Sequence, residues 1–171
     1  MTTADYLLKG ISLPDGTKTD VAIAGGLISS MSSEYKGEVK VVIDAKDCVV
    51  LPGLVDLHTH LREPGREDAE TVLSGSCAGV KGGFTAVSAM ANTSPVADTA
   101  GVVEQVYRLG QEAGLLDVFP IGAVTQGLKG EALSEIGAMA DSVARVRVFS
   151  DDGNCVSDPL VMRRALEYIK K

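Results

Sequence analysis

A chain of 171 residues with 45% hydrophobic side chains and a mean hydropathy of +0.16 has material for a packed core, in one domain or in one domain with a small appendage. Its formal net charge of −7 speaks against a nucleic-acid or anionic-membrane surface, and no Lys/Arg cluster opposes that reading. No apolar run approaches a membrane span and the start MTTADYLLKG lacks the layout of a signal peptide, while three scattered cysteines, Cys48, Cys77 and Cys155, suit a reduced cytoplasmic protein better than a disulfide framework.

Residues 1–52 read as short strands and turns. Tyr6–Leu8, Val21–Ala24, Leu27–Met31 and Val41–Ile43 are brief apolar or β-branched runs, separated by the turn signals Pro14-Asp15-Gly16 and Gly25-Gly26. No Walker-type Lys-Ser/Thr follows Gly25-Gly26, so a hairpin turn is expected there rather than a phosphate loop. From Gly53 the pattern changes to alternating strands and helices, which predicts a parallel sheet. The expected strands are Leu54–His60, Phe84–Met90, Asp117–Val124 and Val146–Phe149. The expected helices are Glu67–Val80, acidic in its first turn and stopped by Gly82-Gly83; Asp98–Ala113, with Val102, Val103, Val106 and Leu109 near helical spacing and Gly114 as its stop; and Glu131–Ala140. A last helix opens at Asp158-Pro159, with a capping residue and a proline at the first position, and is expected to run to Lys171.

The stretch Leu51–Gly65, LPGLVDLHTHLREPG, holds both histidines of the chain, His58 and His60. Alternate side chains of a strand share a face, so Asp56, His58, His60 and, if the strand reaches it, Arg62 should project together. Two imidazoles side by side at a strand end can grip one divalent cation, with zinc the first candidate. Cys155 follows a turn near the acidic pair Asp151-Asp152, but no base stands beside it in sequence to make it a nucleophile. By itself Asp151-Asp152-Gly153 is also an ordinary turn sequence.

Three segments in register, LPGLVDLHTHLREPG, MANTSPVADT (Met90–Thr99) and VFSDDGNCVSD (Val148–Asp158), resemble motifs of the metal-dependent amidohydrolases, and among these the bacterial class I dihydroorotases. The resemblance covers essentially the whole chain. It implies an α/β fold: 53–171 as the amino-terminal half of a (β/α)8 TIM barrel, about four β/α units, preceded by a small β-sandwich portion in 1–52. A full barrel takes about 250 residues, so the chain is read as the amino-terminal half of a longer protein.

The resemblance further implies Zn2+, one or two ions per complete site, held by His58, His60 and Asp152, with Asp151 the alternative acid. The similar dihydropyrimidinases and allantoinases use a carboxylated lysine near the fourth strand, and Arg145–Gly153 contains none. Arg62 and Asn92, bordered by His60, would bind a substrate carboxylate; Ala91 stands where the family often has proline. Asp56 is read as a supporting carboxylate. No general acid/base is expected within the chain, because the aspartate that shuttles the proton would lie beyond Lys171. The implied activity is the reversible cyclisation of N-carbamoyl-L-aspartate to L-dihydroorotate in pyrimidine synthesis, with the chain inactive alone. The alternatives are another cyclic amidase, dihydropyrimidinase- or allantoinase-like, and a non-catalytic partner of aspartate transcarbamoylase. Homo-oligomerisation or association with aspartate transcarbamoylase stays open.

Overall fold

The computed structural model describes residues 3–170, and the chain divides into two compact units, Met1–Pro52 and Gly53–Lys171. The first unit is one mixed sheet of β1 (Ala4–Ser12), β2 (Lys18–Ala24), β3 (Leu27–Ser32) and β4 (Val39–Asp44), in the order β3-β2-β1-β4. Its neighbours pair antiparallel except β1 with β4, which run parallel. The expected Gly25-Gly26 hairpin forms, with φ of 58° and 76° at the two glycines. That pair of left-handed residues gives the turn the twist of the flanking strands, and only glycine adopts both at no steric cost. Strand β1 is longer than the Tyr6–Leu8 run suggested. Its pairing with β2 slips between Leu8 and Ile11, a bulge that carries the strand past Lys9 and Gly10. Two small apolar clusters form the core, Ala4, Leu7 and Ala22 in one and Ile11, Val21 and Ala45 in the other.

The second unit holds a parallel sheet of β5 (Leu54–Thr59), β6 (Phe84–Ala89) and β7 (Asp117–Pro120), in chain order. Helices α1 (Val72–Lys81) and α2 (Ala100–Ala113) connect the strands, and α3 (Ile136–Asp141) and α4 (Pro159–Ile169) follow. Leu61, Val72, Val87, Val106 and Val118 pack into one cluster and Ala91, Val103, Met139 and Val146 into another. The approach of α2 to β7 depends on Gly110, where a Cβ would stand 2.6 Å from that of Val118.

Several expected boundaries are corrected. Helix α1 starts at Val72, not Glu67. Thr71 caps it, exchanging hydrogen bonds with Ser74 in a capping box, so Glu67 and Asp68 lie ahead of the first turn. The anion at this helix N-terminus is Glu63, whose carboxylate accepts from the Val72 N–H at 2.7 Å. Helix α2 starts at Ala100 and α3 at Ile136, later than Asp98 and Glu131.

The fourth strand is reduced to a single parallel bridge between Gly122 and Phe149. Gly122 donates to Val148 and its carbonyl accepts from Ser150, so the segment does lie beside the chain that continues from β7. The ladder stops there because the next donors, the N–H groups of Val124 and Thr125, go to the Asp151 carboxylate and not to backbone carbonyls. Strand β7 ends at Pro120, short of the expected Asp117–Val124, and the Ala123 N–H goes to the Ala97 carbonyl beyond the end of β6. Helix α4 opens as expected, with the Asp158 side chain accepting from Leu160 and Val161; the expected final residue, Lys171, lies outside the described residues.

Candidate metal centre

His58 is the penultimate residue of β5 and His60 follows the strand. Their rings stand edge to face with centroids 5.2 Å apart. The segment after the Gly122–Phe149 bridge brings Asp152 against both rings. His58 Nε2 lies 3.4 Å from Asp152 Oδ1 and His60 Nε2 lies 3.6 Å from Asp152 Oδ2. One donor atom from each of the three residues falls within 4.8 Å of the others. Zinc–nitrogen and zinc–oxygen bonds of about 2.0–2.2 Å in a tetrahedron set neighbouring donors roughly 3.3–3.6 Å apart. The two imidazole–carboxylate distances, each to a different oxygen of Asp152, are of that order, and two imidazoles with a carboxylate are a donor set suited to a divalent cation.

The two adjacent acids have opposite surroundings. Asp151 is 6% exposed, and its carboxylate accepts from the N–H groups of Val124 (2.7 Å) and Thr125 (3.0 Å) and from the Thr125 hydroxyl. The Thr125 oxygen in turn accepts from Gly130 N–H at 2.9 Å. These bonds tie the segment carrying Asp152 to the loop after β7. Asp152, with a quarter of its side chain exposed, has no backbone donor among the described residues and faces His58, His60 and Asn92.

Asn92 stands beyond the end of β6. Its side-chain oxygen is 3.0 Å from His60 Nδ1, and its amide nitrogen donates to Asp152 Oδ2 at 3.5 Å. Asp56 accepts from the His58 backbone N–H at 2.9 Å, a local bond that braces the strand end. Arg62 departs from the strand reading. Strand β5 stops at Thr59 and Arg62 has φ of 61°, so the alternation that aligns His58 with His60 does not extend to it. It is exposed and has no carboxylate partner among the described residues. Cys48, Cys77 and Cys155 are all exposed free thiols.

Sequence reasoning missed the Asp151–Thr125 clasp and the contact of Asn92 with His60. Each joins residues far apart in the chain, 26 and 32 positions respectively, and neither leaves a local pattern to read.

The mixed α/β unit with histidines at the end of its first strand is similar to part of the amidohydrolase barrel proteins. An L-hydantoinase (dihydropyrimidinase) from Arthrobacter aurescens superposes with a TM-score of 0.66 at 25% identity, over 85% of this chain and 32% of that one. An N-acyl-D-glutamate deacylase from Bordetella bronchiseptica, solved with zinc and a phosphonate inhibitor, superposes at 0.64 with 14% identity over 98% and 43%, a likeness of fold alone. Within that class the chain belongs to the dihydro-orotase-like family, whose model matches residues 47–168. It is 62% identical over 170 residues to a dihydroorotase of Leifsonia xyli, covering 99% of this chain and 39% of that protein. The corresponding figures are 60%, 96% and 38% for a dihydroorotase of Streptomyces coelicolor and 53%, 95% and 38% for one of Mycobacterium tuberculosis. The chain thus spans about two-fifths of the length of these relatives.

Proposed function

We propose that this chain carries the first part of a zinc dihydroorotase site, with His58, His60 and Asp152 as metal ligands and the reversible cyclisation of N-carbamoyl-L-aspartate to L-dihydroorotate as the parent activity. The observation that carries the reading is the gathering of two imidazole nitrogens and a carboxylate, from segments far apart in sequence, with one donor atom of each within 4.8 Å of the others. The family membership and the dihydroorotase relatives support the choice of reaction. In this reading residues 1–52 are a β-sandwich portion and 53–171 the first half of a (β/α)8 barrel. The order β5-β6-β7, continued by the Gly122–Phe149 bridge, agrees with consecutive barrel strands.

A cation at this point supplies Lewis acidity toward the cyclic amide carbonyl and acidifies water. The protein's own groups prepare the rest. Asp151 fixes the loop that presents Asp152, and Asp56 braces the strand end that presents His58. Arg62 lies two residues beyond His60 with its planar fork uncommitted, and we assign it, with Asn92 and the edge of His60, to the substrate carboxylate. The proton-shuttling aspartate is assigned to a residue beyond Lys171, so the chain by itself should turn over little substrate. The parent enzyme is placed in the cytoplasm, acting on a small molecule; among the described residues no helix is long and apolar enough to cross a membrane. Pairing with itself or with aspartate transcarbamoylase belongs to the same proposal.

The test is zinc titration of the chain together with dihydroorotate ring opening. Binding of zinc that is lost in Asp152→Ala, with turnover far below that of a complete dihydroorotase, supports the reading. Absence of zinc binding would remove the metal site, and near-normal turnover would refute an incomplete one. The structural likeness to an L-hydantoinase favours one competing substrate class, so hydantoin belongs in the substrate panel for the parent enzyme.

A further inference from the structure

Among the described residues both rings approach Asp152 through Nε2, at 3.4 Å from His58 and 3.6 Å from His60, and only His60 has a hydrogen-bond partner at its other nitrogen. The extra partner is Asn92, and with a neutral ring beside an ionised Asp152 its chemistry selects one proton arrangement. Asp152 as a carboxylate can only accept, so the Asn92 NH2 faces it, at 3.5 Å. The Asn92 oxygen then faces His60 Nδ1 at 3.0 Å, and a carbonyl oxygen also only accepts. The hydrogen of the neutral His60 ring therefore sits on Nδ1, and the lone pair sits on Nε2, which faces Asp152 Oδ2 at 3.6 Å. Without Asn92 the preference reverses, because the carboxylate beside Nε2 draws the hydrogen to that nitrogen and blocks the lone pair a cation needs.

We propose that Asn92 is a positioning residue that holds His60 in its Nδ1–H tautomer and steadies Asp152, so that both are ready for a cation before it arrives. This rests on reading His60 and Asp152 as metal ligands and adds a role to Asn92 besides contact with substrate. The backbone gives Asn92 a rigid mount. Met90 N–H donates to Thr59 at 2.9 Å, beside His60, and the fully buried Ala91 accepts from Ala97 N–H at 3.0 Å. Groups outside the coordination shell that set imidazole tautomers in this way change metal affinity roughly 10- to 100-fold when removed.

The experiment is two-bond 1H–15N correlation on the metal-free, 15N-labelled chain with neutral rings, paired with zinc affinity by chelator competition. Wild-type His60 is expected in the Nδ1–H form. Asn92→Ala should move it to Nε2–H, leave the His58 tautomer unchanged and weaken zinc roughly 10- to 100-fold. Asn92→Asp retains an oxygen facing Nδ1 and should keep the wild-type tautomer, which separates loss of this contact from general damage to the fold. A His60 tautomer that is Nε2–H in the wild type, or that is the same in wild type and Asn92→Ala, overturns the proposal. The metal reading fails separately: a tautomer that follows Asn92 in a chain with no zinc affinity refutes the cation site and upholds the positioning role.

Discussion

In the β1–β4 sheet, Asp20 is buried with its carboxylate filled by backbone donors, Gly10 N–H at 2.8 Å and Tyr35 N–H at 3.0 Å. At the strand ends of the β5–β7 unit, Asp151 is filled in the same way by Val124 and Thr125, while its neighbour Asp152 meets only side-chain nitrogens. Three aspartates, two of them adjacent in sequence, thus divide into two kinds. An acid saturated by backbone N–H groups satisfies donors that would otherwise be buried unpaired, and it fastens loops. An acid that faces two imidazoles and an amide leaves its oxygens free to share a cation with them. What distinguishes them is which donors surround each carboxylate.

The largest effect should come from removing the second kind. Asp152→Ala should lower zinc affinity by more than the roughly 100-fold that changes outside the coordination shell reach, while leaving the unfolding midpoint in urea near that of the metal-free wild type. Asp151→Ala should do the reverse in emphasis. It orphans two backbone N–H groups and a hydroxyl, at roughly 1–3 kcal/mol per unsatisfied buried group, for a loss of roughly 3–9 kcal/mol in the urea-unfolding free energy of the second unit when none of the three finds another partner. If Asp151→Ala proved as stable as wild type and Asp152→Ala did not, the two roles would have to be exchanged.

Asp20→Ala extends the comparison to the other sheet. Its two donors are only part-buried, so water can replace the carboxylate in part and about 1–3 kcal/mol should be lost there, seen as faster amide exchange at Gly10 and Tyr35, with no change in zinc affinity. The pH dependence follows from the same bonds. The Tyr35 and then the Gly10 N–H hold the Asp20 carboxyl below its ordinary value, against the opposing effect of burial. A carboxyl whose folded-state pKa is depressed contributes its full stability above the ordinary carboxylate range, and that contribution disappears as pH falls through the folded-state value. Asp20→Asn should therefore flatten the acid limb of the first unit's stability curve below about pH 4. An acid limb unchanged by Asp20→Asn would show that these bonds do not discriminate between the charged and neutral acid.

These contrasts also mark what the sequence made legible. The Gly25-Gly26 turn, the Gly114 helix stop and the Asp158-Pro159 helix start are set by the backbone freedom or capping chemistry of one or two residues, and all three stand where expected. The His58/His60 pair was legible because strand periodicity is local. It misled at Arg62, where a φ of 61° after the end of β5 breaks the period. The choice between Asp151 and Asp152 could be made only by family resemblance, since it depends on Val124 and Thr125 folding back across more than twenty residues. The fourth strand failed for the same reason: its apolar pattern was present, but a side chain took the neighbouring donors.

Helix α1 offers the smallest and sharpest version of the contrast. Its sequence sets Glu67, Asp68 and Glu70 where a first turn was expected, yet the helix begins at Val72 and the acid that reaches its N-terminus is Glu63. Glu67 is turned instead to Gly65 N–H, which lowers its carboxyl pKa. Glu63 is thus another fastener, but its partner is a helix N-terminus whose donors and dipole favour a full negative charge. Glu63→Gln keeps an oxygen able to accept from Val72 N–H and removes only the charge, so the expected loss is about 0.3–1 kcal/mol at low ionic strength. Part of that loss should vanish in high salt, where charge–dipole terms are screened and the hydrogen bond is not. Thermal melts of wild type and Glu63→Gln at two salt concentrations separate the terms. Equal stability at low salt would mean that the Val72 N–H needs an acceptor and not an anion, and Glu63 would then hold α1 through its oxygen alone.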